Sequence, residues 1–113
     1  MPRLTAATVI IILAAALPAV AGQGRAADRG QRLAIARCSS CHAIGLAGES
    51  PNPKSPPFRN IAASYEEHSL QEKLTEIDET GHYDMPSIRV HSNEISDLVA
   101  YFNRLNRRAR PAR

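Results

Sequence analysis

Toward the end of the chain, Ile95, Leu98, Val99, Phe102 and Leu105 fall at i, i+3, i+4, i+7 and i+10, with polar residues between them. That spacing gathers them on one side of a helix capped by Ser92 or Asn93, the clearest amphipathic pattern in the sequence. A second stripe, Leu70, Leu74 and Ile77, predicts a helix over 65–79. Ser64-Tyr-Glu-Glu67 ahead of it has the form of a capping box, and Thr80-Gly81 closes it. Upstream, DRGQRLAIARCSSCH offers Asp28 as N-cap, with Leu33, Ile35 or Ala36, and Cys38 at near-helical spacing, and should end at about His42. Residues 45–57 hold Gly45, Gly48, Pro51, Pro53, Pro56 and Pro57, too many breakers for regular structure, so an extended loop is expected there. GHYDMP, 81–86, is a turn-rich loop. No alternating strand pattern and no repeat interrupts this series, which predicts one all-α domain.

Before these elements Arg3 leads into a run without charge from Leu4 to Ala21, ending in the small-x-small stretch Ala19-Val20-Ala21. A positive start, an apolar middle and a small-residue exit mark a secretory signal peptide over 1–21, cut after Ala21, with Ala26-Ala27 as a second site. The run also reaches the lower limit for a membrane span, about 18 residues, so an uncleaved anchor is the alternative. Its alanine content and Pro18 favour cleavage. Either outcome exports the rest of the chain, to the periplasm. Residues 22–27 then read as a short linker, 28–105 as the domain and 106–113 as a basic tail.

The exported body is small and has no Trp, and beyond the helical stripes its large apolar residues are mainly Leu33, Ile35, Ile44, Leu46, Phe58, Ile61 and Ile88. A core that thin is barely sufficient, and domains of this size usually carry a staple. A disulfide between Cys38 and Cys41 would close so short a loop that it would add little. Something else must fill the interior.

CSSCH, 38–42, has the C-x-x-C-H form of covalent c-type haem attachment. On a helix end, residues at i, i+3 and i+4 share a face, so Cys38, Cys41 and His42 can address one flat ligand. The two thiols add across the haem vinyl groups, and His42 stands under the iron. Rival readings explain less. A disulfide suits an exported protein but gives the histidine no purpose. A structural zinc site needs four ligands, so His68, His82 or His91 would have to serve. A thioredoxin-like motif expects a βαβ setting. For the second axial position, Met85 in YDMPS is the one thioether beyond the leader, and a sulfur ligand closes the iron and raises its potential. Core packing is the plain alternative for Met85, and His82 is its main rival as ligand.

Across 28–105 the sequence resembles class I c-type cytochromes. The matching pieces stand in family order: Arg29-Gly30-Gln31 leading into CSSCHA, then SPPFRNIA, HYDMPS and EISDLVAYFNRL. The resemblance implies an all-α cytochrome c fold, three to four helices around one haem c attached through Cys38 and Cys41, with iron held by His42 and Met85. It implies an electron carrier and no catalytic residue. It also implies a close crossing of the first and last helices at Gly30 and Tyr101. A proline carbonyl, Pro57 or alternatively Pro56, should accept from the His42 imidazole. The proline-rich loop and the arginine tail depart from the family pattern.

The formal charge of +3 is unevenly spread. Arg104, Arg107, Arg108, Arg110 and Arg113 crowd the end, while Glu66, Glu67, Glu72, Glu76, Asp78 and Glu79 surround Lys73 on the second predicted helix. Both stretches read first as solvated surface. The tail is alternatively an arm for weak contact with an anionic membrane surface or an acidic partner, and nucleic acid does not suit an exported chain. Arg59 is either a surface side chain or a partner for a haem propionate. The expected partners are redox proteins: a dehydrogenase, a cytochrome complex or a terminal oxidase. The alternatives are a cytochrome subunit of a periplasmic dehydrogenase, or a haem peroxidase or gas-binding protein if Met85 does not ligate iron.

Overall fold

The computed structural model describes residues 17–81 and 84–111, the side chains from residue 22 onward. It forms α1 (Leu17–Arg37), α2 (Phe58–Ser64), α3 (Glu67–Thr80) and α4 (Ser92–Ala109), and among the described residues no strand. The leader lies mostly outside this set, and His82 and Arg113 wholly so. No described helix is long and apolar enough to cross a membrane.

Helix is already present at Leu17, well ahead of the start expected at Asp28. Ala19, Ala21, Ala26 and Ala27 all favour helix. The residues read as a linker, 22–27, are therefore helical. Asp28 is not a cap but takes a bond from Arg104. Among the described side chains the buried positions of α1 are Ala27, Gly30 and Ala34, spaced three to four apart and continued by Cys38 just past its end, while Ile35 is exposed. Leu46, also expected inside, is exposed as well.

A stripe of such small residues lets α4 approach closely. At Gly30 a Cβ would fall onto the Asp97 carbonyl and stand 2.9 Å from Tyr101 Cβ, so the two helices cross where the sequence suggested. The flank of this crossing is held by Arg29, whose guanidinium donates to both Asp97 oxygens at 2.8 and 2.7 Å. Both α2 and α3 also rest on α4, which thus supplies the floor of the core. Leu98 is its most enclosed large side chain, with Phe58, Leu70, Leu74, Ile95, Phe102 and Leu105 around it.

Two local readings differ. The Ser64 hydroxyl donates to the Asn60 carbonyl at 2.8 Å, so it ends α2 rather than boxing α3, whose N-cap is Glu66. The α4 cap is His91, one residue before the expected position; its N–H donates to the Glu94 carboxylate at 2.8 Å.

Candidate haem site

α1 ends at Arg37, short of His42, yet the motif keeps a helical turn of its own. The His42 N–H donates to the Cys38 carbonyl at 2.9 Å and the Cys41 N–H to the same oxygen at 3.2 Å. The interruption comes at Ser39, whose N–H reaches back to Ala34 and whose hydroxyl donates to Ile35. Cys38 and His42 thus stand one turn apart, both buried, with Cys41 half-buried between them.

The proline-rich segment that follows is irregular but tied down. The Asn52 N–H donates to the Cys41 carbonyl, the Ala43 N–H to the Ser50 hydroxyl and the Phe58 N–H to the Ala43 carbonyl, at 2.8–3.2 Å. These bonds fold the loop back over the motif. His42 Nδ1 lies 2.7 Å from the Pro56 carbonyl oxygen. Pro57, the first choice from sequence, is otherwise engaged: its carbonyl accepts from Asn60 and Ile61 and starts α2. A carbonyl can only accept, so Nδ1 carries the proton, and Nε2 is left with its lone pair for a metal. The Phe58 ring holds the imidazole from the side, centroids 5.4 Å apart, and itself stacks on Phe102 at 4.4 Å.

His42 and Cys38 open onto a cleft of about 140 Å³ lined by Pro56, Phe58, Ile61, Leu70, Leu74, Ile77, Ile88, Leu98 and Phe102. Met85 lines the same cleft, and with Cys41 it also borders a second opening beside the motif. The structure therefore brings Cys38, Cys41, His42 and Met85 to one place. His68 and His91 are elsewhere: both are exposed, His68 against Glu72 and His91 at the start of α4.

The loop bearing Met85 is fixed at both ends. Gly81 closes α3 with φ 66°, and a Cβ there would stand 2.6 Å from the Met85 carbonyl oxygen. At the other end the Asp78 carboxylate accepts from the Val90 N–H at 2.6 Å, and Arg37 donates to the Arg89 carbonyl at 2.7 Å. Sequence reasoning read Asp78 as part of a solvated acidic face and Gly81 as a plain helix stop. The offset of twelve residues between Asp78 and Val90 gives no local signal for the first.

The donor set fits a haem better than its rivals. Both thiols are free, and among the described residues no group of three or more His, Cys, Asp or Glu could hold a metal ion. Burial pushes the Cys38 thiol up to about 11, so at neutral pH it is protonated, poor as a zinc ligand or redox nucleophile. The cleft wall is apolar, which suits an organic cofactor. His42, Tyr65 and Lys73 are the polar residues among its lining. Arg59 does not line it; its Nη1 is buried without a partner beside a separate pocket formed by Glu49, Ser50, Pro53, Ser55 and Pro57.

No curated protein and no solved structure gives a significant match to the chain. The family model described as cytochrome c matches residues 27–106, from the buried part of α1 nearly to the end of α4. That span contains the attachment turn, the stapled loop, the cleft and Met85, and it makes this all-α chain a member of the cytochrome c family, in which a covalently bound haem c serves electron transfer.

Proposed function

We propose that the protein is a periplasmic electron carrier with one haem c, attached through Cys38 and Cys41 and ligated by His42 and Met85. The observation that carries this reading is the His42–Pro56 contact: with Nδ1 committed at 2.7 Å, Nε2 is the nitrogen free to bind iron, in a cleft that Met85 also lines. When bound, the haem supplies an iron that changes valence without making or breaking bonds once both axial positions are filled. The protein contributes a dry apolar wall, a fixed imidazole plane and a thioether. Cys41, half-buried beside exposed Ser40, brings one side of the site close to solvent, where an electron can leave. Encounters with a dehydrogenase, cytochrome complex or terminal oxidase are then brief and small in area. No catalytic residue is assigned.

The test is the absorption spectrum of the purified protein, reduced and oxidised, with mass spectrometry for the attached tetrapyrrole. A low-spin reduced spectrum and the weak near-infrared band of an iron–sulfur bond are expected. Met85→Ala should abolish that band, lower the potential and admit carbon monoxide to the reduced iron. An unchanged spectrum would remove Met85 from the site, and a polypeptide without added mass would remove the haem.

A further inference from the structure

The lining of the cleft sorts its two ends. Cys38, His42, Met85 and Ile88 border both the cleft and the second opening, where Cys41 stands, so the attachment motif marks one end. Ile61, Tyr65, Lys73 and Leu74 line the cleft and not that opening, and they mark the other. A haem joined through its vinyl groups carries its two propionates on the opposite edge of the ring. With the thioether edge fixed at Cys38 and Cys41, those carboxylates are directed toward the end that α2, α3 and the turn between them form.

Carboxylates set against an apolar wall are costly unless they are paired. Among the described residues, the polar groups at that end of the cleft are Tyr65 and Lys73. Tyr65 follows the last residue of α2 and is partly exposed, a rim position. Lys73, three residues after Leu70 and four before Ile77, sits on the border of the buried face of α3. Its ammonium donates to Glu76 at 2.9 Å, and two of its three N–H groups remain. That bond holds the Lys73 ammonium above its ordinary value against the opposing effect of burial, and the charge of Glu76 and the nearness of Tyr65 add to it, so Lys73 is a cation at neutral pH. Other cations near the site are placed differently. Arg37 borders the opening of Cys41, Lys54 pairs with Asp84 at 3.8 Å, and Arg59 lines a separate pocket.

We infer that Lys73 and Tyr65 form the propionate subsite, the ammonium as counter-charge and the phenol O–H as donor to one haem carboxylate. The inference rests on the haem proposed above and is independent of whether Met85 ligates the iron. A cation there also offsets carboxylate charge that favours ferric iron, and so holds the potential up.

The haem-loaded chain is made with aminolevulinate carrying carbon-13 in its carboxyl group, a label that the finished haem retains in its two propionate carboxyls. Their resonances are followed against pH in the reduced protein. One propionate should titrate below the ordinary carboxylate range. K73Q should raise that midpoint by about 1 pH unit, a tenfold change in acid constant, and K73R should restore it, while Y65F raises it by less. The redox potential should fall in K73Q and return in K73R. Propionate midpoints unmoved by K73Q, or moved instead by K54Q or R59Q, overturn the inference and leave the haem reading standing. A chain without labelled tetrapyrrole removes the haem reading itself, and the subsite with it.

Discussion

Gly81 and the carbonyl of Met85 are packed so closely that a methyl group on the first would stand 2.6 Å from the oxygen of the second. Gly81 also holds φ 66°, where a side chain is strained whatever the space. Gly81→Ala should therefore push Met85 from its position as well as cost about 1–3 kcal/mol of stability. The expected signature is a weaker near-infrared iron–sulfur band together with a lower denaturation midpoint. A variant with both unchanged would show that the loop adapts.

Asp78 looks like one more charge on an acidic helix, but it satisfies the buried N–H of Val90 at 2.6 Å. Asp78→Ala leaves that donor unpaired and should lower stability by roughly 1–3 kcal/mol in guanidinium unfolding. Glu72→Ala, on the exposed face of the same helix, should stay within about 0.5 kcal/mol.

The Gly30 crossing admits no side chain. Gly30→Val should cost at least about 3 kcal/mol, because the atoms it would strike belong to the Asp97 backbone and cannot rotate away. Measured as yield of haem-loaded protein and as melting temperature, a near-neutral result would show that α1 and α4 can slide apart without penalty.

Withholding haem leaves an apolar cleft of about 140 Å³ against a small core. A chain made without attachment should show reduced helix content and a broad, weakly cooperative melt by circular dichroism. A sharp two-state melt of the haem-free chain would mean that the helices suffice by themselves.

The α4 stripe was legible because five large apolar residues repeat at helical spacing, and all five are buried. The attachment motif was equally legible, since its residues are local. What escaped the sequence was long-range or competitive. Which proline carbonyl meets His42 depended on whether Pro57 would be used to start α2, and nothing in SPPF decides that before the fold does. In α1 the reading followed Ile35, the bulkier residue, whereas the close approach of α4 selects Ala34 and turns Ile35 to solvent. The short α2 lay hidden in a stretch dominated by prolines, and its last residue, Ser64, imitated the cap of the next helix. Arg59, weighed as a propionate partner or a plain surface residue, keeps its Nη1 buried without a hydrogen-bond partner beside a pocket shared with Ser55 and Pro57.

Because α1 has α4 as its main partner, the first and last of the described helices must meet before the fold can shut. During synthesis the earlier helix therefore waits, open, for a companion that emerges later. In that interval Cys38, which the finished molecule buries, stays within reach of whatever chemistry is to be done on it.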